Sequence, residues 1–118
     1  MTSHYKAVRL SRPGGPLSVE TLTRQRPGPG EVAVQLRYAG VNPLDGYIRA
    51  GAVGSPDTLP RTLGVEGVGE LDGQWYVVHG GGLGVLRDGT WAEHAVVPRQ
   101  ALVPVPAGLD LRLAATAG

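Results

Sequence analysis

The side chains of this chain that could do chemistry close together in sequence are an amide, a carboxylate and a phenol: Asn42, Asp45 and Tyr47, within Gly40-Val41-Asn42-Pro43-Leu44-Asp45-Gly46-Tyr47. A second stretch, Gly64-Val65-Glu66-Gly67-Val68-Gly69, adds one more carboxylate. An amide N–H or a phenolic O–H can donate to a developing oxyanion, and a carboxylate can carry a proton. The chain has no cysteine, which excludes disulfides, thiolate metal sites and a cysteine nucleophile together. His4, His79 and His94 show no ligand spacing. A catalytic zinc takes three protein ligands, so these histidines are expected on strand surfaces and loops, and no metal site is expected.

Each candidate also has a purely structural role open to it. Asn42-Pro43 is a common helix-start signal, so Asn42 is either a cap or a ligand contact. Asp45 is either a structural carboxylate that holds the loop and satisfies helix N–H groups, or a proton carrier, with the structural role the more frequent. Tyr47 either packs its ring in the core or presents its hydroxyl. Glu66 lies on a glycine-flanked apolar strand where a free carboxylate is costly, so an ion pair with an arginine is expected. Arg49 is expected to be solvated, with a contact to a cofactor phosphate as the alternative.

The elements that must position these groups are mostly strands. With 118 residues the chain has room for one compact domain. Glycine and proline make up about a quarter of it, yet they punctuate β-rich runs rather than diluting a disordered one. Strands are expected at His4 to Leu10, Leu17 to Leu22, Glu31 to Tyr38, Gly67 to Leu71, Trp75 to Val78, Thr90 to Val97 and Ala101 to Val103. The clearest is the third, where Val32, Val34, Leu36 and Tyr38 alternate with Ala33, Gln35 and Arg37. One short helix is expected over Pro43 to Ala50, with Asn42 as cap, Pro43 in the first turn and Gly51 as stop. A second is expected to start at Asp110 and run to Ala117.

The run Gly80-Gly81-Gly82 is followed by no helix signal, so a turn is expected there rather than an anion cradle, with Asp88-Gly89 closing a long hairpin. Trp75, Tyr76 and Trp91 are expected as core or edge aromatics. Eleven basic residues against ten acidic ones, without clustered runs, advertise no nucleic-acid surface. The N-terminus lacks the apolar core of a signal peptide, and no apolar run approaches the roughly 20 residues that span a bilayer. A cytoplasmic protein without a membrane partner is the resulting expectation.

Tyr5-Lys6-Ala7-Val8, Pro27-Gly28-Pro29-Gly30-Glu31-Val32, Ala39 to Asp45, Gly64 to Gly69, Gly89-Thr90-Trp91-Ala92-Glu93 and Val103-Pro104-Val105-Pro106 follow one another in a fixed order. Together they resemble the N-terminal GroES-like domain of the medium-chain dehydrogenase/reductase superfamily, on its zinc-independent, quinone oxidoreductase-like branch. The resemblance covers essentially the whole chain and implies a mainly β fold, a GroES-like partly open β-barrel with one or two short helices. It also implies that residues 1–118 form that domain and that residues 108–118 begin a linker helix to a cofactor domain.

A Rossmann domain is absent from the sequence: no Gly-x-Gly-x-x-Gly occurs in any register. The resemblance further implies NADPH as the cofactor of a complete protein and a small carbonyl or quinone as substrate. Asn42 and Tyr47 would be catalytic, and Asn42, Asp45 and Tyr47 would lie against the cofactor. In zinc-dependent relatives the positions of Asn42 and Val65 hold a cysteine and a histidine, and that of Leu44 a hydroxyl residue of the proton relay, so no zinc is implied. An apolar surface around Leu44, Tyr47 and the terminal helix would face the missing Rossmann domain and would let copies associate, a homodimer included. The function expected is the substrate-binding half of an NAD(P)H-dependent reductase of quinones or α,β-unsaturated carbonyls, inactive alone. The alternative from another class is a stand-alone GroES-like binding module without activity, and a true co-chaperonin is a distant third.

Overall fold

The structure, a computed structural model, describes residues 3–54 and 56–115. Eight strands and two short helices follow the chain as β1 (His4–Leu10), β2 (Leu17–Thr23), β3 (Glu31–Ala39), α1 (Pro43–Ala50), β4 (Arg61–Thr62), β5 (Glu66–Leu71), β6 (Gln74–His79), β7 (His94–Pro98), β8 (Leu102–Pro104) and α2 (Leu111–Ala114). Short 3₁₀ turns at Pro56–Thr58 and Arg99–Ala101 complete it. The strands form two sheets, β2-β1-β4 and β7-β3-β5-β6-β8, with every strand pairing antiparallel. A bridge between Ala7 and Ala92, with Val8 N–H donating to the Trp91 carbonyl at 2.8 Å, joins them into a mainly β, partly open barrel.

The alternation in β3 sends Val32 and Val34 inward, where they pack with Val78, Leu83, Ala95, Val97 and Ala101. Toward its end β3 changes register against β5 between Leu36 and Tyr38, the extra residue of a β-bulge. A second cluster of Val68, Val105, Ala114 and Ala115 seats α2 on β5. A third, of Leu10, Ile48 and Leu63, seats α1 on β1 and the turn after β4. Both helices are thereby anchored by one face each, which short helices need because their own hydrogen bonds are too few to hold them.

Two expectations are corrected. The segment before β7 does not run straight as a strand from Thr90: β7 begins at His94, because Thr90 to Glu93 crosses from one sheet to the other. There the Trp91 N–H donates to Leu63 O at 2.9 Å and the Glu93 N–H to Lys6 O at 3.0 Å. Asp88-Gly89 closes no hairpin: the Asp88 carboxylate caps the Thr62 N–H at 2.9 Å and pairs with Arg9 at 2.9 Å, tying this loop to β1 and β4. The strand β4, two residues long, carried no periodic signal. Of the second helix, Leu111–Ala114 is helical, and residues 116 and 117 of the expected span lie outside the described residues.

The glycines of β5 answer to crowding. A Cβ on Gly69 would meet a methyl of Val34 and lie 2.8 Å from the Gln35 carbonyl. Gly69→Ala is therefore expected to lower stability by about 1–3 kcal/mol through overpacking. Urea denaturation reads this as a lower midpoint; an unchanged midpoint contradicts the packing described.

Candidate active site

Local chemistry builds the first side of the candidate site. Asn42, in extended conformation, precedes a helix whose first residue is Pro43, the position that wastes no N–H donor. Asp45, three residues on, turns back so that its Oδ2 accepts the Asn42 backbone N–H at 2.8 Å. The Asp45 N–H donates to the Asn42 carbonyl at 3.0 Å. The helix stops at Gly51, whose φ of 88° lies in the left-handed region that glycine adopts without strain.

Its second side comes from β5. Glu66, only 5% exposed, takes the Asn42 side-chain Nδ2 at 3.0 Å on its Oε1. The expected ion pair with an arginine is not what satisfies this carboxylate: an amide is its partner. Gly40 makes the approach possible, since a Cβ there would sit 2.7 Å from Glu66 Oε1 and 3.1 Å from the Ala115 carbonyl. The main chain of Gly40 is held on both sides, its N–H by Glu66 O at 3.0 Å and its carbonyl by the Trp91 indole Nε1 at 2.9 Å. Thr90 adds its hydroxyl to the Glu66 carbonyl at 2.8 Å. No spacing in the sequence announces Trp91 or Thr90 as supports, because each reaches its partner across the two sheets.

Asn42 is thus both cap residue and cleft residue: its backbone starts α1, while its side chain is held by Glu66. The second N–H of its amide and its Oδ1 are not used by that bond. Tyr47 does not pack in the core; it is 60% exposed, and Leu44 beside it is partly exposed too. Asp45 is buried, with one carboxylate oxygen on the Asn42 N–H and the other, Oδ1, without a partner among the described residues. Burial pushes the Asp45 carboxyl above the ordinary aspartate range; the Asn42 hydrogen bond opposes the rise and the nearby Glu66 charge adds to it. The same residue therefore holds the loop and has the chemistry of a group that keeps its proton more readily than a surface aspartate.

For zinc the donor set does not fit. Among the described residues no three His, Cys, Asp or Glu side chains gather where an ion could sit. Asn42 offers an amide already bonded to Glu66, and Val65 and Leu44 offer no donor. Tyr47 is exposed and Asn42 half-buried, and among the described residues no glycine turn leads into a helix as a phosphate cradle would. Arg49 is exposed on the last turn of α1. No helix among the described residues is long and apolar enough to cross a membrane.

The raised Asp45 pKa has a sign. The folded chain holds this proton more tightly than the unfolded one, so the contribution is fully present below the unfolded value, near 3.8, and is lost as pH rises through the higher folded value. The stability of the wild type relative to Asp45→Asn is expected to be greatest in acid and to decline toward neutrality. Urea denaturation of both proteins across that range measures it, and a difference that grows with pH contradicts it.

Residues 28–73 match the family described as the alcohol dehydrogenase GroES-like domain. The chain is 31% identical over 130 residues to the mitochondrial enoyl-[acyl-carrier-protein] reductase of Rattus norvegicus, covering 98% of this chain and 34% of that protein. The quinone oxidoreductase of Thermus thermophilus, whose complex with NADPH has been solved, superposes with a TM-score of 0.80 at 34% identity, over 93% of this chain and 35% of its own. A cobalt- and zinc-bound thermostable alcohol dehydrogenase from Pyrobaculum aerophilum superposes with a TM-score of 0.83 at 30% identity, over 97% and 44%. The chain spans less than half the length of each. Order of motifs, two-sheet topology and these likenesses agree: the chain belongs to the GroES-like domains of the medium-chain dehydrogenase/reductase superfamily.

Proposed function

We propose that the chain is the substrate-facing half of a zinc-independent, NADPH-dependent reductase of quinones or α,β-unsaturated carbonyls, inactive without a dinucleotide-binding domain. The observation that carries this reading is the start of α1: an amide held by Glu66 and an exposed phenol stand within one helical turn and a half of each other, with no metal-ligating cluster beside them among the described residues. The relatives named above, a quinone reductase with NADPH and an enoyl reductase, support the substrate class and the cofactor. In this reading residues 1–118 are one domain, and the segment from residue 108 leads toward the cofactor domain.

When bound, NADPH supplies the hydride. Asn42 and Tyr47 would hold the nicotinamide and the substrate carbonyl, and the second amide N–H of Asn42 and the phenolic O–H would be the donors to the oxygen on which charge grows. Tyr47, which is exposed, would give up a proton to that oxygen and recover it from solvent. Asp45 would lie on the cofactor side of the loop, and it keeps the head of α1 fixed by accepting the Asn42 N–H. Exposed Leu44, Leu109 and Leu113 give the apolar surface that a second domain or a second copy would cover.

In a protein that carries this chain together with its dinucleotide-binding domain, Tyr47→Phe and Asn42→Ala are each expected to lower kcat for NADPH-dependent quinone or enone reduction about a hundredfold. The 118-residue chain alone is expected to show no turnover. Steady-state assays following NADPH oxidation test both statements. Undiminished kcat in both variants, or turnover by the chain alone, sinks the proposal.

A further inference from the structure

Between Gly89 and β7 the chain crosses from one sheet to the other, and the first two residues of the crossing also reach the candidate site. Thr90 donates its N–H to the Gly64 carbonyl at 3.1 Å and its hydroxyl to the Glu66 carbonyl at 2.8 Å. Trp91 donates its backbone N–H to Leu63 O at 2.9 Å and accepts the Val8 N–H on its own carbonyl at 2.8 Å. Its ring is half-buried against Leu10, Ile48 and Leu63, the cluster that seats α1. Gly64 leaves the room for that ring: a Cβ there would come within 2.5 Å of the indole Cδ1. Main chain and ring are thus both fixed, so the direction of the indole N–H is fixed as well.

That N–H donates to the Gly40 carbonyl at 2.9 Å. We propose that Trp91 is a positioning residue for the site: its indole N–H sets the Gly40–Val41 peptide and, through it, the angle at which the Asn42 amide meets Glu66. The proposal rests on the reading of Asn42 as a donor to the substrate. Three successive peptide units lead into α1, and a different residue holds each. The unit ending in the Gly40 N–H is held by Glu66 O at 3.0 Å, and the unit ending in the Asn42 N–H by Asp45 Oδ2 at 2.8 Å. The unit between them, which begins with the Gly40 carbonyl, is held by Trp91.

This middle unit is the one with most freedom to turn. A peptide moves as a plane, and Gly40, which has no Cβ, restricts the rotation about its own bonds less than any other residue would. No bulkier residue can take over that task, because a Cβ at position 40 would lie 2.7 Å from Glu66 Oε1. The restraint has to come from outside, and it comes from a ring whose own anchors are Leu63 and Val8 rather than Asn42 or its carboxylates. Without the indole N–H, the buried Gly40 carbonyl must turn toward another donor, and Val41 and the Asn42 side chain turn with it. A misdirected donor costs more in the transition state than in the bound ground state, so the loss falls on kcat rather than on KM.

Trp91→Phe, which keeps a ring in the Leu10, Ile48 and Leu63 cluster but removes the N–H, tests this with two readouts. In the 118-residue chain, NMR is expected to show the two Asn42 side-chain NH₂ protons moving toward the positions of a solvated amide, while the Val34 and Val97 amides of the core stay in place. In a protein that carries this chain together with its dinucleotide-binding domain, kcat for NADPH-dependent quinone reduction is expected to fall about tenfold, with KM changed less than about twofold. Asn42 protons unmoved in Trp91→Phe, or a KM that rises as much as kcat falls, overturn the proposal. The wild type supplies a test that does not depend on the folding of a variant: the Trp91 indole proton is expected to be protected from exchange with solvent, and exchange as fast as that of a free indole overturns the proposal. Absence of turnover in the wild-type two-domain protein is instead a failure of the reductase reading, and the Asn42 and indole signals then decide the role of Trp91 by themselves.

Discussion

Asn42 is held at both ends by carboxylates, Asp45 on its backbone N–H and Glu66 on its side-chain amide, and the cleft depends on this double hold. Two buried acids so near one residue are costly unless each has a donor. The arrangement meets that cost with neutral N–H groups rather than with an arginine. It also makes the amide a rigid feature: with Nδ2 committed to Glu66, the side chain cannot turn over without leaving a buried carboxylate oxygen unpaired.

Everything around that hold serves to bring β5 and the start of α1 together. Gly40 lacks the Cβ that would strike Glu66, and the Trp91 indole and the Glu66 main chain fix its peptide groups. Ile48 anchors α1 against Leu10 and Leu63, so the helix cannot drift from the strands that carry its partners. Across β5 the chain reaches α2, whose Ala114 and the following Ala115 pack on Val68 and bring the Ala115 carbonyl close to Gly40. The cleft thus draws on three distant segments, and a fold with two sheets sharing one open edge supplies them.

What could be read from the residues follows how local the physics is. The helix Pro43–Ala50 was legible to the residue because cap, proline and stop glycine all act within one or two turns. β1 and β3 were legible through alternation. The partner of Glu66 was not, since burial was foreseeable but the donor lies 24 residues earlier in sequence and is brought there by a close backbone approach. Thr90 to Glu93 looked like strand because its residues favour one, but its peptide groups are spent in bridging the sheets. Tyr47 admitted two roles until its exposure separated them. β4 escaped because a pair of residues, however well buried, has no period to detect.

The most direct measurement of the double hold on Asn42 is the NMR signal of its side-chain NH₂ in the intact chain. A bond to a buried carboxylate should set one of the two protons well downfield of the other, and that separation should collapse in Glu66→Ala while persisting in Tyr47→Phe. Side-chain protons of Asn42 at the positions of a solvated amide in the wild type, or unmoved by Glu66→Ala, would contradict the account.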